Sequence, residues 1–136
     1  MYKFGNKSKE NLSTCRLELQ QVAWHTMGLD IVDFACIKGH RTKEKQDESF
    51  AAGKSKVQWP DSKHNAEISE AFDLVPCVNG KESWVVSHCI FLAGIVMASA
   101  AVLGYKVRWG GNWDMDGEVM TDQKFQDLVH YELVGG

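Results

Sequence analysis

The chain has 136 residues, of which 44% are hydrophobic and 24% are charged, and this length is typical of one domain built around a single core. Its 15 Lys and Arg residues stand against 18 Asp and Glu residues, which gives a net charge of −3. Because no basic run is long enough to follow a phosphate backbone, the composition argues against a nucleic-acid partner.

The N-terminal part of the chain predicts one helix and then one strand. Residues 11–27, NLSTCRLELQQVAWHTM, carry apolar and small side chains near one face of a single helix. Residues 30–39, DIVDFACIKG, are typical of a strand that ends at Gly39. We therefore expect a helix packed beside the first strand of a sheet.

The middle of the chain predicts a charged helix, a loop and a short strand. Residues 42–52, TKEKQDESFAA, favour a helix capped by Thr42 and closed by Gly53. Residues 54–69 are predicted to be mostly loop. The segment EAFDLVP that follows is typical of a short strand stopped by Pro76, and the Asn79-Gly80 pair after it predicts a turn.

A long apolar segment precedes the last two predicted strands. Residues 89–103, CIFLAGIVMASAAVL, carry no charge and predict a core helix that starts at Ser87 and ends at Gly104. The run is shorter than the roughly 20 residues of a membrane span, so we expect no membrane insertion. YKVRWGG and HYELV then read as strands. The order of elements predicts an α+β fold in which a small, mainly antiparallel sheet packs on helices.

The four cysteines, Cys15, Cys36, Cys77 and Cys89, form no CxxC pair. The N-terminal MYKFGNKSKENLS lacks the apolar run of a secretory signal peptide. We interpret the cysteines as reduced thiols of a protein made in the cytosol, and as small core side chains rather than zinc ligands.

Two histidines and one aspartate fall at the ends of predicted strands. His64 lies in the loop, Asp73 follows nine residues later in an apolar segment, and His130 opens the last predicted strand. A buried carboxylate without a partner is costly, so Asp73 needs one. Two imidazoles and one carboxylate leave a fourth zinc position for water, which is the catalytic arrangement. The spacing alone favours a simpler alternative, a His–Asp hydrogen bond.

Six segments of the chain occur in a characteristic order: GHRT at 39–42, SKHN at 62–65, EAFDLVP at 70–76, VNGK at 78–81, RWGGNWDMDG at 108–117 and DQKFQDLVHYEL at 122–133. Together they resemble the phage L-alanyl-D-glutamate endopeptidases, which are grouped with the D-alanyl-D-alanine carboxypeptidases and dipeptidases related to vancomycin resistance. The resemblance covers residues 4–133. It implies a hedgehog/DD-peptidase-like fold, and one zinc peptidase catalytic domain over residues 1–136.

The resemblance also implies roles for individual residues. His64, Asp73 and His130 match the zinc ligands of the family, Asp127 matches its catalytic acidic residue, and Arg41 matches an arginine that steadies the substrate carbonyl. The chain departs from the common family motif SxHxxGxAxD, since HNAEISEAFD lacks the glycine and is two residues longer between the ligands.

Four further residues lie where they could act around this site. We expect Ser62, His40 and Trp113 to line the substrate cleft. Glu132 lies two residues beyond His130 and therefore on the same strand face. It either orients a metal ligand or is an exposed charge.

The segment NWDMDGEVMTDQ, residues 112–123, resembles a calcium loop. Asn112, Asp114 and Asp116 occupy alternate positions, and Gly117 follows where such a loop needs a sharp turn. The twelfth position is Gln123 where a glutamate is expected, and the alternative is a solvated hairpin loop. If calcium binds there, we expect it to order the active site and regulate activity.

The resemblance implies a zinc-dependent endolysin that hydrolyses the L-Ala–D-Glu bond of peptidoglycan stem peptides and lyses the bacterial host. We expect a monomer that resides in the host cytoplasm and reaches the periplasm and cell wall once a holin has permeabilised the membrane. The alternatives are a D,D-carboxypeptidase with the same zinc chemistry, a non-catalytic zinc-containing binding module, and a structural domain without metal.

Overall fold

The computed structural model describes residues 1–117 and 127–135, in which four helices pack against a five-stranded sheet. This arrangement confirms the predicted α+β class. A short 3₁₀ helix, Lys63–Asn65, lies in the long loop before the second strand. The helices are α1 (Asn6–Ser13), α2 (Leu17–Gly28), α3 (Lys43–Ala51) and α4 (Val86–Leu103), and the strands are β1 (Asp33–Lys38), β2 (Ala71–Val78), β3 (Lys81–Glu82), β4 (Val107–Gly110) and β5 (Asp127–Leu133).

The sheet is antiparallel, with strand order β1-β2-β5-β4 and with β3 paired to β2. Its register places Asp73 of β2 opposite His130 of β5. On the other edge of β2, Lys38 of β1 stands opposite Asp73. Asp73 and His130 therefore lie on the two neighbouring strands at the centre of the sheet.

Alternation along β2 and β5 separates an apolar face of the sheet from a polar one. Phe72 and Leu74 of β2, and Tyr131 and Leu133 of β5, belong to the main hydrophobic core. That core also takes side chains from the helices α1, α2 and α4. Because successive side chains of a strand point to opposite faces, Asp73, His130 and Glu132 lie on the face away from this core.

The single helix predicted over residues 11–27 is two helices, α1 and α2. The chain breaks between them because its backbone pairs with the loop before β2. Ser69 N donates to Thr14 O at 2.8 Å, and Arg16 N donates to Ser69 O at 2.9 Å. Cys15 and Ser69 form an isolated bridge at the same point. The longer segment between His64 and Asp73 thus packs against the α1–α2 junction.

Pro76 does not stop β2, which continues to Val78. Pro76 is paired in register with Phe34 of β1, while its carbonyl oxygen accepts a hydrogen bond from Ser83 N at 2.8 Å. The backbone polar edge of Pro76 thus faces away from β1. The missing N–H therefore interrupts no bond to that strand. The Asn79-Gly80 turn was predicted correctly, since both residues have positive φ and join β2 to β3.

Helix α4 begins at Val86, so the predicted start at Ser87 was wrong. Ser83 lies before the helix instead: its hydroxyl accepts from Val85 N at 3.3 Å and pairs with His88 Nδ1 at 2.6 Å. By length and composition alone α4 could cross a membrane, a test that core helices of soluble proteins also pass, and 33% of its residues are buried. One side packs in the core, and the other exposes apolar residues such as Phe91.

Gly39 provides a stability test of the contact between β1 and α1. A Cβ at Gly39 would overlap Thr14 Oγ1 and the backbone oxygen of Asn11, whereas a Cβ at Gly94 of α4 would meet nothing within 4 Å. We expect Gly39→Ala to destabilise the protein by about 1–3 kcal/mol, the usual effect of overpacking. Gly94→Ala is the matched control and should stabilise it by about 0.5–1 kcal/mol through helix propensity. Urea unfolding measures both, and equal effects would contradict the contact.

Candidate metal centre and substrate cleft

Three side chains from separate elements meet on the polar face of the sheet. His64 comes from the 3₁₀ helix, Asp73 from β2 and His130 from β5, and all three residues are buried. His64 Nε2 lies 3.2 Å from Asp73 Oδ1 and 3.2 Å from His130 Nδ1, and His130 Nδ1 lies 3.4 Å from Asp73 Oδ1. Among the described parts of the chain, this is the group of three such residues close enough to share one metal ion.

The separations among these three atoms fit the edges of a metal-centred tetrahedron. Ligand bonds of about 2.0–2.1 Å to zinc in tetrahedral geometry place the ligand atoms about 3.3 Å apart. A simple hydrogen bond between His64 and Asp73 would not require His130 Nδ1 to lie beside His64 Nε2 as well. The arrangement can therefore hold a divalent metal ion with one coordination position open to the cleft.

The outer nitrogen of each imidazole is held by the protein. His64 Nδ1 lies 2.7 Å from the carbonyl oxygen of Gly39. His130 Nε2 lies 2.8 Å from Glu132 Oε1, and Glu132 Oε2 accepts from Arg108 at 2.7 Å. Because one ring nitrogen is engaged outward, the other is directed at Asp73. Of the two interpretations of Glu132 from the sequence, the orienting one fits this geometry.

The charges of the group influence one another strongly. Burial by itself would raise the pKa of Asp73, but the positive charge of His64 and hydrogen bonds from both histidines hold that pKa well below its usual range. Burial lowers the pKa of His130, but hydrogen bonds to Asp73 and Glu132 outweigh it and raise the pKa to about 9. The metal-free His130 is therefore protonated at neutral pH. A metal ion that binds its nitrogen must displace that proton.

Asp127 is the first residue of β5, which begins three residues before His130, the predicted start of this strand. It lines the same cleft as His64 and His130 but is not one of the three metal-binding residues. Burial, followed by the negative charge of Asp73, raises the pKa of Asp127, while His130 and His64 oppose the rise. A carboxyl group with a raised pKa beside a metal centre suits proton transfer.

Arg41 is fixed beside the metal-binding residues. Its backbone N–H donates to His64 O at 2.7 Å, and its guanidinium lies 4.0 Å from Asp73 Oδ2. Gln46 of α3, which the sequence did not single out, is fully buried and accepts from Arg41 Nη1 at 2.9 Å. The amide nitrogen of Gln46 donates to Val57 O at 2.6 Å, which ties Arg41 to the loop after α3. The sequence carries only a weak signal for this role: Gln46 is a neutral polar residue in a segment that is mostly charged.

The metal-binding residues open onto a cleft of about 320 Å³. Ser62 and Trp113 line it, and the ring of Trp113 lies 5.4 Å from that of His130. The Ser62 hydroxyl accepts from His64 N at 3.2 Å and so also caps the 3₁₀ helix. His40 was also expected to line the cleft, but it lines a neighbouring groove instead. Its Nδ1 lies 2.8 Å from Ala66 O.

The proposed calcium loop lies only partly within the described residues. Asn112, Asp114 and Asp116 are described, whereas residues 118–123 of the loop are not. Within the described part, the Asp114 carboxylate accepts from Asp116 N at 3.3 Å, which is a local turn contact. The geometry of the described residues gives calcium no support, and its binding stays a prediction.

Comparison with known proteins gives matches over nearly the whole chain. A family described as phage L-alanyl-D-glutamate peptidase matches residues 1–134. The L-alanyl-D-glutamate peptidase of Escherichia phage T5 is 32% identical over 136 residues, which is 98% of each chain. The crystal structure of the L-Ala D-Glu endopeptidase ChiX of Serratia marcescens is similar with a TM-score of 0.78 and 26% identity, covering 96% of this chain and 90% of that one.

Proposed function

Because the chain belongs to the phage L-alanyl-D-glutamate peptidase family, we propose that it hydrolyses the amide bond between L-Ala and D-Glu in peptidoglycan stem peptides. The observation that carries the proposal is the buried group of His64, Asp73 and His130, which opens onto a cleft also lined by Asp127. This is the donor set of a catalytic site, in which three protein ligands leave one position open. The substrate bond is taken from the named relatives.

We propose that the metal is zinc, held by His64 Nε2, His130 Nδ1 and Asp73. The set of two imidazole nitrogens and one carboxylate oxygen suits zinc, and the separations of 3.2 to 3.4 Å agree with it. When bound, zinc supplies Lewis acidity, which lowers the pKa of water from 15.7 toward about 7 and polarises a carbonyl oxygen. The chain's own residues bind and orient the substrate and move its protons.

Asp127 is the proposed proton carrier. As a carboxylate it accepts a proton from the water that attacks the alanine carbonyl carbon, and it then delivers a proton to the departing glutamate nitrogen. Its raised pKa brings the carboxyl closer to the working pH, which favours both transfers. Arg41, held by Gln46 and near Asp73, is the proposed donor to the substrate oxygen on which negative charge develops.

We propose that the protein acts as an endolysin and lyses the host cell. A peptidase made in the host cytoplasm meets peptidoglycan only after the inner membrane is permeabilised, and a holin is the partner we propose for that step. The site of action is then the periplasm and cell wall. Calcium regulation through residues 112–123 would be added to this activity and is not required for it.

Digestion of purified peptidoglycan followed by mass spectrometry tests which bond the protein cleaves. We expect fragments with D-Glu as a new N-terminus and sugar chains that retain only L-Ala. Release of free D-Ala would instead identify a D,D-carboxypeptidase, which needs the same metal chemistry. Binding to the wall without any fragment would point to a non-catalytic module. Either result rejects the proposed reaction.

Replacement of one metal-binding residue tests whether these side chains bind zinc and whether lysis requires it. We expect the wild-type protein to bind one zinc ion per chain. His64→Ala should lose most of this zinc and should not lyse cells, because the ligand atom His64 Nε2 is removed. His88→Ala is the control, since His88 pairs with Ser83 away from the cleft. Elemental analysis and a turbidity assay measure the two effects. Full zinc content and full lysis in His64→Ala would contradict the site.

Asp127→Asn separates proton transfer from metal binding. The amide is nearly the same shape but cannot accept the proton, so activity should fall by about 100-fold or more while zinc content is unchanged. Asp47→Asn, on the exposed surface of α3, serves as control because its carboxylate pairs with Lys43 there, away from the cleft. Turnover of the zinc-loaded Asn variant at the wild-type rate would remove Asp127 from the mechanism.

A further inference from the structure

The cleft has a second lobe that adjoins the metal-binding residues. Arg41, Lys54 and Asp127 line both lobes. Strand β5 passes from one to the other, because Val129 lines the second lobe and Glu132 lines the first, with His130 between them in sequence. The second lobe measures about 430 Å³, within the range of about 300–1,000 Å³ that is usual for small-molecule sites. A substrate centred on the metal-binding residues therefore has space available in both lobes.

The two lobes differ in the number of charged side chains that line them. Apart from the metal-binding residues and the three shared side chains, the first lobe is lined by five charged residues, and we call it the polar lobe: Lys56, Asp61, Lys63, Arg108 and Glu132. When the metal-binding residues and the three shared side chains are again left out, the second lobe is lined by one charged residue, Lys38. It also presents Ile37, Val129 and the indole of Trp84, and we call it the Trp84 lobe.

Trp84 is exposed although the backbone on both sides of it is fixed. Its relative exposure is 60%. Ser83 N donates to Pro76 O at 2.8 Å, and the Ser83 hydroxyl accepts from Val85 N at 3.3 Å. These bonds hold the Trp84 backbone between β3 and α4 at the edge of the lobe. The ring therefore offers a large apolar surface on a rigid support, next to the site of cleavage.

The substrate has a matching asymmetry. In an L-Ala–D-Glu peptide the glutamate half carries a free carboxylate, whereas alanine carries only a methyl group. In peptidoglycan the alanine nitrogen is joined to the lactyl group of an uncharged amino sugar. The C–H groups of a pyranose ring carry small positive charges, which suit the negative face of an indole. The charged half of the substrate thus matches the polar lobe, and the uncharged sugar-bearing half matches the Trp84 lobe.

We propose that the cleft binds its substrate in one direction, with the glutamate half in the polar lobe and with the amino sugar that carries L-alanine stacked on Trp84. This inference rests on the proposed function, because it takes the scissile bond from it. Trp84 is then a specificity-determining residue, which makes the enzyme prefer stem peptides still attached to the glycan. Two features support this direction: Asp73 of the metal centre lines the Trp84 lobe, and far fewer charged side chains line that lobe than line the polar lobe.

Two synthetic substrates test the proposal with zinc-loaded protein. One is an N-acetylmuramoyl-L-alanyl-D-glutamyl peptide, and the other is the same peptide with an acetyl group in place of the sugar. We expect Trp84→Ala to raise KM for the sugar-bearing peptide by about five- to tenfold, the equivalent of one aromatic stack. KM for the sugar-free peptide should stay within about twofold of wild type, and Trp84→Phe should restore most of the preference.

Phe91→Ala is the matched control. Phe91 is 57% exposed on α4 and lines neither lobe, so both KM values should remain those of wild type. Equal changes of KM for the two substrates, or no change in Trp84→Ala, would overturn the proposal. A change in the mass of the protein in solution with Trp84→Ala would also overturn it, because the ring would then cover a second copy of the chain.

A binding measurement keeps this result separate from the proposed function. N-acetylmuramoyl-L-alanine, the sugar-bearing product, can be titrated into the protein while indole N–H signals are recorded by NMR. We expect the Trp84 signal, identified by its loss in Trp84→Phe, to shift. The signal of Trp24, which lies on α2 and lines neither lobe, should stay in place. If the wild type cleaves neither peptide, the proposed function fails. Absence of a Trp84 shift rejects sugar binding whether or not the peptides are cleaved.

Discussion

The pairing of β2 with β5 is the constraint on which the site depends. Its register sets Asp73 directly opposite His130 and, one residue on, Phe72 opposite Tyr131. The first pair supplies two of the three metal-binding side chains, and the second is buried in the core. A slip of one residue would turn Asp73 into the core and Phe72 into the cleft. Packing of the apolar face therefore enforces the geometry of the polar face.

The third metal-binding residue is held by a different part of the chain. His64 enters from the 3₁₀ helix, and its outer nitrogen meets the carbonyl oxygen of Gly39 at the end of β1. Arg41, two residues after Gly39, returns a backbone hydrogen bond to His64 O. The loop after β1 and the 3₁₀ helix thus fix each other. Because Gly39 also packs directly on α1, the helical layer supports the metal centre through one backbone contact.

The sequence predicted the α+β class and most elements, because their apolar periodicity and turn residues are local signals. The identities of the clustered residues came from a resemblance, since spacing alone favoured a simple His–Asp pair. The errors have a common physical origin in contacts between distant segments. The break between α1 and α2 depends on Ser69, and the continuation of β2 through Pro76 depends on Ser83. Burial of Gln46 depends on the loop to Val57, and none of these partners is visible locally.

The position of Asp127 shows how an irregularity in the sheet serves the cleft. Asp127 and His130 are three residues apart on β5, and in a regular strand this odd spacing would place their side chains on opposite faces. The pairing of β4 with β5 shifts between Trp109 and Gly110, so that Gly110 stands opposite Asp127 while Trp109 stands opposite Tyr131. Such a bulge re-aims side chains, and Asp127 lines the same cleft as His130.

The bulge also explains why a glycine occupies position 110. A Cβ there would overlap the backbone of Asp127, so any larger residue would push the start of β5 away from β4. The core side of the bulge is secured as well, since Trp109 Nε1 donates to Leu128 O at 2.8 Å. A buried indole and a glycine thus set the path of the strand on either side of the irregularity. The proposed proton carrier is therefore placed by the backbone of its neighbouring strand, and its orientation is an outcome of sheet packing.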